Sequence, residues 1–314
     1  MNDSPPVDNT QPQILVTGGT GLVGRRLLNS LLGPVCVLSR KPPINEEGAV
    51  SNAKVRYLRW NAASIIPPVD LGLVRAAIHL AGDPVAEGRW NIEKKQRIRD
   101  SRVIGTRCLV KSLAQLPTPP EVLISASAVG YYGNRPGETL TEASTVGQGF
   151  LPEVCAEWEA EAEAAQKFGI RVCRIRIGIV LDPNGGALGK MLPIFRMGLG
   201  GPLGFGRQHF PWIHAADLVG LIRHCLEHEN VTGPINAVAP TPTTNWTMTR
   251  ALARAVGRPA VIPAPKFGLQ LLFGEFGKSL FDDQLVQPRV AIESGYSFQY
   301  TTIEAALQDL LPNG

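Results

Sequence analysis

The sequence is poor in cysteine, in net charge and in long apolar runs, and each shortage excludes a class of protein. Its five cysteines are scattered at positions 36, 108, 155, 173 and 225 and form no Cys-x-x-Cys pair. Neither a disulfide framework nor a zinc knuckle is therefore indicated. A formal net charge of +4 provides no basic stripe for a nucleic acid. No apolar stretch reaches the ~18 residues that a membrane span needs.

The rest of the composition is typical of a globular protein. Hydrophobic residues make up 44% of the 314 positions and charged residues 18%, which excludes disorder over most of the chain. Scattered, unpaired cysteines favour a reducing compartment, so we predict a cytoplasmic location. Residues 1–12 contain three prolines but no apolar core and no basic charge, which indicates a short disordered lead and not a signal peptide.

The most informative segment is a glycine-rich turn between an apolar run and a helical pattern. Residues 17–24 read Thr-Gly-Gly-Thr-Gly-Leu-Val-Gly. We expect Gly18 to turn the chain tightly, Gly21 to let a pyrophosphate approach the backbone, and Gly24 to let the helix pack close to the sheet. N–H groups at the helix start would hold the phosphates, unless this is an ordinary glycine-rich turn. The predicted contacts are Gly18, Thr20, Gly21, Leu22, Val23 and Gly24.

The end of the next strand pattern predicts which dinucleotide binds. Residues 35–38 are apolar and are followed by Ser39, Arg40 and Lys41. An NAD site usually has Asp or Glu here to bind the ribose 2′-hydroxyl, and no acid is present. The two cations and the serine hydroxyl suit a 2′-phosphate instead. We predict NADP(H) as the cofactor, with Ser39 and Arg40 in contact with it; the alternative is a solvated basic turn.

Alternating strand and helix patterns predict an α/β fold, a Rossmann-type doubly wound parallel sheet. The predicted strands are 14–16, 35–38, 54–60, 76–80, 121–125 and 171–181, and the predicted helices are 25–32, 91–115 and 153–167. Beyond residue 182 glycine and proline become frequent, and we place a smaller C-terminal, substrate-side domain there. The predicted NADP-binding domain covers 13–181 and about 212–240, and the smaller domain covers 182–211 and 241–314.

Several motifs resemble the extended short-chain dehydrogenase/reductases, and more narrowly an epimerase-like, cell-division-inhibitor-like family with its own C-terminal segment. They include His-Leu-Ala-Gly at 79–82, Phe-Pro-Trp-Ile-His at 210–214 and Ser-Gly-Tyr-x-Phe at 294–298. The resemblance runs from about residue 13 to about residue 311. It implies further cofactor contacts at Leu80, Ala81, Gly82 and Ile179.

One departure from the superfamily concerns the catalytic acid. Reductases that this chain resembles use a serine together with Tyr-x-x-x-Lys, in which the tyrosine exchanges the proton opposite the hydride. Ser127 stands near the end of the fifth strand pattern, where the serine is expected. Val154 and Trp158 occupy the positions that match the tyrosine and the lysine. The usual acid and its partner cation are therefore missing.

Two neighbouring phenols are possible substitutes for that acid. We name Ser127 and Tyr131 as the candidate catalytic residues, with Tyr132 as a second phenol. The alternative is that both tyrosines pack under the loop. A phenol with a reference pKa near 10 needs a cation beside it to act near neutral pH.

A second departure lies on the long helix, where Arg102 replaces the asparagine of the superfamily pattern Asn-x-x-Gly-Thr. Arg102 is suited either to reach a phosphate or to supply the cation of the missing lysine. Arg97, earlier on the same helix, is a weaker candidate for cofactor contact. The alternative for both is a surface arginine on a basic helix face.

Other polar residues provide no metal site by their spacing. His224 and His228 lie four apart without an evident third ligand, and His214 with Asp217 is expected to be structural or pocket-lining. Residues 266–281 are apolar enough to pack against the second domain or to contact a partner or membrane.

Two function classes remain open: a slow NADP(H)-dependent oxidoreductase or epimerase, and a non-catalytic NADP(H)-sensing or partner-regulating protein, with a link to division as one option. Its expected partners are an unknown small-molecule substrate and, as an option, a protein, with no nucleic acid and no membrane span.

Overall fold

A computed structural model of the chain describes residues 11–42 and 55–312. The first ten residues of the predicted disordered lead lie outside the described residues, as does residue 54, where the third strand pattern begins. In the described part of the chain, no helix is long and apolar enough to cross a membrane.

The strands of the central sheet form from short apolar runs, which suit a parallel sheet because both of its faces are covered by helices. In chain order the strands are β1 (Gln13–Thr17), β2 (Val35–Ser39), β3 (Val55–Arg59), β4 (Val74–His79), β5 (Val122–Ala128), β6 (Thr139–Leu140), β7 (Arg171–Ile177), β8 (Ile179–Asp182), β9 (Trp212–His214), β10 (Gly233–Ala237) and β11 (Leu285–Val286). Seven of them form one parallel sheet in the order β3-β2-β1-β4-β5-β7-β10. The strand order reverses between β1 and β4, which is the topological switch point of a doubly wound fold.

Helices cover both faces of this sheet. They are α1 (Leu22–Ser30), α2 (Pro68–Leu71), α3 (Ile92–Ala114), α4 (Phe150–Glu163), α5 (Gly186–Arg196), α6 (Ala215–Glu227), α7 (Asn245–Ala255), α8 (Lys266–Phe273), α9 (Phe276–Ser279), α10 (Arg289–Glu293) and α11 (Ile303–Leu310). Successive side chains of a strand point to opposite faces. Ile14 and Val16 therefore pack with Leu27 of α1, whereas Leu15 packs with Leu109 of α3 on the other face. The predicted Rossmann-type α/β fold is confirmed.

The predicted strand at 171–181 is wrong in one respect, because it divides into β7 and β8. A Cβ on Gly178 would lie 2.4 Å from the carbonyl oxygen of Pro211, so the chain passes directly against that residue. From there β8 leaves the central sheet and pairs with β9, with Ile179 opposite Trp212. Helix α1 also begins at Leu22 and not at residue 25, and α4 ends at Glu163, where a 3₁₀ helix (Ala164–Phe168) continues it.

Beyond residue 182 the structure contains helices and strands that the sequence did not predict, because glycine and proline are frequent there. Helix α5 lies within 183–211, and β10 adds a seventh strand beside β7. Helices α5, α7 and α11 share a separate apolar core around Phe195, Trp212 and Met248. The predicted boundaries between the two domains stay a prediction.

Candidate cofactor and catalytic site

The carboxyl ends of the parallel strands meet at one edge of the sheet, and most predicted site residues lie there. The glycine turn follows β1, Arg40 follows β2, and residues 80–82 follow β4. Ser127 is the second-last residue of strand β5 and pairs with Arg176 of β7. In open α/β sheets, ligands bind in the crevice outside these carboxyl ends.

The glycine turn is held tightly against the end of β4. Gly18 has φ of +71°, and a Cβ there would lie 2.7 Å from the carbonyl carbon of Leu80. A Cβ on Gly24 would lie 2.2 Å from the oxygen of Gly18, so this glycine allows helix α1 to pack directly against the turn that follows β1. Gly21 differs, because a Cβ there would have only the Gly18 oxygen nearby, at 3.2 Å. The open side of Gly21 is therefore available to a ligand.

Helix α1 begins with its N–H groups available to an anion. Gly21 is the N-cap, no side chain caps the helix, and its first turn contains no acidic residue. In α3, by comparison, the Asn91 side chain accepts a hydrogen bond from the Lys94 N–H. The first N–H groups of a helix have no intrahelical partner and carry partial positive charge. The start of α1, which includes Leu22 and Val23, thus fits a pyrophosphate.

The basic turn after β2 faces solvent. The N–H of Lys41 donates to Oγ of Ser39 at 3.3 Å. Arg40 is exposed and has no ion pair within the ranges 11–42 and 55–312. On the other side of the glycine turn, Nε of Arg25 donates to the carbonyl oxygen of Thr20 at 2.8 Å. Among the described residues of this turn, 39–42, there are cations and no carboxylate, which suits a 2′-phosphate.

A buried histidine, the first residue of the His-Leu-Ala-Gly motif, fixes the end of β4. His79 is fully buried, with Nδ1 2.6 Å from Oγ1 of Thr17 and Nε2 2.9 Å from Oγ1 of Thr106 on α3. Burial, together with the charge of Arg102, lowers the pKa of His79 to about 4. The neutral ring therefore connects β1, β4 and α3. Thr17 also accepts a hydrogen bond from the N–H of Ala81 at 3.2 Å.

Arg102 is part of the site and not a surface arginine. A Cβ on Gly82 would lie 3.1 Å from its Cζ, and its Nη1 donates to the carbonyl oxygen of Asp83 at 3.0 Å. Its guanidinium lies 5.1 Å from the ring centroid of Trp158. Burial lowers the pKa of Arg102 from its ordinary value. The structure thus brings a cation next to the side chain that replaces the family lysine.

Arg97 has a different environment on the same helix. It is exposed, and no hydrogen bond or ion pair joins it to another residue in the described part of the chain. The structure gives no contact between Arg97 and the group formed by Gly82, Arg102 and Trp158. Its predicted cofactor contact stays a prediction.

Ser127 belongs to a buried ion-pair network. Its hydroxyl donates to Oε1 of Glu159 on α4 at 2.7 Å. Glu159 also accepts from Arg176, at 2.8 Å from Nε and 2.9 Å from Nη2, in a bidentate pair. Burial alone would lower the pKa of Arg176, but the hydrogen bonds and charge of Glu159 raise it above its ordinary value. Neither Glu159 nor Arg176 was a candidate site residue from the sequence, because 17 residues separate them along the chain and only the fold brings them together.

The two tyrosines have different environments. Tyr132 is fully buried, accepts from Nη1 of Arg176 at 2.9 Å and donates to Oδ1 of Asn236 at 2.7 Å. Burial raises the pKa of Tyr132 to about 12. Tyr131 is only partly buried, and Cζ of Arg176 lies 3.6 Å from its ring centroid. A cation therefore lies against Tyr131, although over its ring.

Helix α4 provides no titratable phenol or amine to the site. Its sequence contains neither tyrosine nor lysine, and Val154 and Trp158 are both buried. Nε1 of Trp158 is buried without a hydrogen-bond partner in the described residues. A buried N–H of this kind requires an acceptor, which a ligand next to Arg102 would supply.

The remaining polar candidates are structural. His214 caps α6, where its Nδ1 accepts from the N–H of Ala216 at 3.1 Å. The Asp217 carboxylate accepts from the N–H groups of Gln299 and Tyr300, at 2.8 and 3.0 Å. The rings of His224 and His228 stack 4.0 Å apart. Over residues 11–42 and 55–312, no group of three or more potential metal ligands is found.

Ile179 and the loop before β9 lie beside β7. Ile179 begins β8, and its N–H donates to the carbonyl oxygen of Pro211 at 2.7 Å. Nε2 of Gln208 donates to the carbonyl oxygen of Leu203 at 3.2 Å, which ties this residue within its own loop. Arg207 lies 5.9 Å from the ring of Phe205.

An uncapped helix after a glycine turn, at the switch point of a doubly wound sheet, defines a dinucleotide-binding protein of the short-chain dehydrogenase/reductase type. Comparison with protein families agrees. Residues 14–238 match the NAD dependent epimerase/dehydratase family, and residues 264–310 match a domain of unknown function, DUF1731. The chain belongs to this epimerase family, and it carries that C-terminal domain.

Relatives of this chain share the family over almost their whole length. The chloroplastic homolog of epimerase family protein SDR39U1 from Arabidopsis thaliana is 37% identical over 322 residues, covering 96% of this chain and 87% of the relative. The crystal structure of human SDR39U1 (isoform 2) with NADPH is 34% identical, with a TM-score of 0.84 over 96% of this chain and 99% of the human one.

More distant structures agree in fold alone. UDP-glucuronic acid 4-epimerase from Bacillus cereus, in complex with UDP-glucuronic acid and NAD, is 16% identical. Its TM-score is 0.75, over 96% of this chain and 99% of the epimerase.

Proposed function

We propose that this protein binds NADP(H), in preference to NAD(H), at the carboxyl edge of its sheet. The observation that carries this proposal is the basic turn after β2, where partly buried Ser39 and exposed Arg40 stand at the positions in which an NAD site usually has an acid. The human relative crystallised with NADPH supports it. The glycine turn, with Gly18, Thr20 and Gly21, and the start of α1 at Leu22, Val23 and Gly24 would hold the pyrophosphate. Contacts further along the edge would come from Leu80, Ala81, Gly82, Arg102 and Ile179, with Arg97 as a further contact.

The reaction that fits the site best is a slow oxidoreduction or epimerisation of a small molecule, for which a bound nicotinamide cofactor would donate or accept the hydride. Ser127 is oriented by Glu159, because its hydroxyl donates a hydrogen bond to the Glu159 carboxylate at 2.7 Å. Tyr131 is the phenol that can exchange a proton, because Tyr132 is held in the interior. Arg102 supplies positive charge next to Trp158. General acid–base assistance is typically worth about 10²–10⁴-fold in rate, so an incomplete set predicts slow turnover.

A second function, a non-catalytic NADP(H)-sensing or partner-regulating protein, has one observation in its favour. Helix α4 contains neither tyrosine nor lysine, so the acid and the amine of the superfamily are absent from their usual helix. In that case the same crevice would bind the cofactor without turnover. A cytoplasmic location also stays a proposal, since one relative is described as chloroplastic.

Calorimetry tests the cofactor preference. Arg40→Ala should weaken NADPH binding by roughly 10- to 150-fold, because one charge-assisted contact to the 2′-phosphate is lost. NADH affinity should change little. Arg254→Ala, which removes an exposed arginine from α7, is the matched control. Equal affinities for the two cofactors in the unmodified protein, or no loss in Arg40→Ala, would contradict the proposal.

A hydride-transfer assay over a panel of carbonyl compounds and sugar nucleotides separates the two functions. We expect slow turnover that falls a further ~100-fold in Tyr131→Phe or in Arg102→Ala, with cofactor affinity measured alongside. Tyr57→Phe, on strand β3, controls for the loss of a tyrosine hydroxyl outside the site. Turnover at ordinary dehydrogenase rates would refute the incomplete acid–base set. NADPH binding without turnover of any substrate would favour the sensor.

A further inference from the structure

The smaller C-terminal region has an unusual charge distribution. Residues 183–216 and 230–274 contain no aspartate and no glutamate. The same two segments contain seven cations, which are Lys190, Arg196, Arg207, Arg250, Arg254, Arg258 and Lys266. The whole chain has a formal net charge of only +4, so the positive charge is concentrated here.

Three of these arginines lie along the outer surface of helix α7 and its end. Trp246, Arg250, Arg254 and Arg258 follow one another at intervals of four, and all four are exposed. Within α7, Trp246, Arg250 and Arg254 share one face, and like charges four apart weaken a helix, whereas Arg258 lies beyond the last helical residue, Ala255. No ion pair neutralises these arginines within the described ranges, whereas Arg223 pairs with Glu227 on α6 and Arg289 pairs with Glu293 on α10.

Large, exposed apolar side chains lie around Arg250, Arg254 and Arg258. The turn at 199–206 packs between the start of α7 and residues 261–264. The N–H of Trp246 donates to the oxygen of Gly206 at 2.8 Å, and the N–H of Ile262 donates to the oxygen of Gly200 at 3.3 Å. Phe205 is 88% exposed at the tip of that turn. The exposed apolar side chains here are Leu199, Phe205, Trp246, Val261, Ile262 and Phe267.

We propose that this surface, the six apolar side chains with Arg250, Arg254 and Arg258, binds the surface of a membrane that contains anionic lipids. Large contiguous patches of exposed apolar side chains mark interaction sites on a protein surface. Aromatic and aliphatic side chains beside unpaired arginines fit the boundary between headgroups and acyl chains, where each cation near an anionic surface adds to binding. The protein would lie on the bilayer and not cross it.

The charges argue against a second copy of the chain as the occupant. A two-fold interface places the same patch of each copy against the other. The arginines of the two copies would then face each other without a carboxylate between them, and like charges across an interface are costly. The complementary surface must be negative, as an anionic bilayer is.

Vesicle flotation tests the proposal with the full-length protein. We expect binding to phosphatidylcholine vesicles that contain about one-third phosphatidylglycerol, at about 0.15 M salt, and at least tenfold weaker binding to pure phosphatidylcholine. Arg250→Glu/Arg254→Glu/Arg258→Glu should weaken binding by about 100-fold or more. Phe205→Ser should weaken it about tenfold, because an apolar side chain no longer enters the lipid.

Two controls keep the result interpretable. Arg75→Glu/Lys111→Glu/Lys167→Glu makes the same charge change at exposed positions outside this surface, and it should keep most of the binding. NADPH affinity reports that each variant is folded. Absence of vesicle binding would overturn the proposal, as would binding that the Arg250/Arg254/Arg258 variant retains. Tighter binding to duplex DNA, or self-association through this surface in sedimentation, would also overturn it.

Discussion

The buried pair between Glu159 and Arg176 should contribute more to stability than any exposed ion pair of the chain. Glu159 accepts three hydrogen bonds, one from Ser127 and two from Arg176, and both members of the pair are at most 4% exposed. Removing Glu159 leaves the Arg176 charge buried without its carboxylate, and removing Arg176 leaves Glu159 with Arg174, at 3.9 Å, as its ion-pair partner. Such a loss typically costs about 3–5 kcal/mol.

We therefore expect Glu159→Leu and Arg176→Met each to lower the free energy of unfolding by about 3–5 kcal/mol. With an unfolding entropy of about 2.1 cal/mol/K per residue, a cooperative chain of this length would lose about 5–8 °C in Tm. The double variant should lose no more than either single variant, because no uncompensated charge remains in the interior.

Chemical denaturation of the four proteins, analysed as a double-mutant cycle, measures this coupling. The control is the pair of Arg99 on α3 and Glu157 on α4. Its side chains are 38% and 40% exposed. Its coupling energy should be about 0–1 kcal/mol. If the losses at Glu159 and Arg176 simply add in the double variant, the two charges do not compensate each other and the reasoning is refuted.

Two further predictions concern the edge of the sheet. The pKa of His79 is about 4 in the folded protein and 6.5 in the unfolded chain, so the unfolded state binds more protons below pH 6.5. Stability should therefore fall by about 2 kcal/mol from pH 6.5 to 5, and His79→Asn should show a smaller slope in denaturation at several pH values; equal slopes would contradict this. Gly21→Val should abolish NADPH binding while keeping a normal melting curve, whereas Gly24→Ala should also destabilise the fold, since its Cβ would lie 2.2 Å from the Gly18 oxygen. Retained binding in Gly21→Val would place the phosphates elsewhere.

The sequence predicted the main sheet well because parallel strands are buried on both faces and read as short apolar runs. Strands β1, β2 and β4 and helix α3 lie within a residue or two of their patterns. It failed at Gly178, where the apolar alternation continues but the carbonyl of Pro211 forces the strand to end. That contact joins residues 33 apart, and no local pattern reports it.

By itself, the sequence determined the turn at 17–24, the basic end of β2 and the absence of tyrosine and lysine from α4. These features depend on neighbouring residues, whose spacing fixes which backbone conformations and which chemical groups are available. Only the tertiary structure decided that Arg102 lies over Gly82, that His79 joins Thr17 to Thr106, and that Ser127 is held by Glu159. Each of these contacts joins residues 20 to 62 positions apart, and their partners are selected by the packing of helices on the sheet.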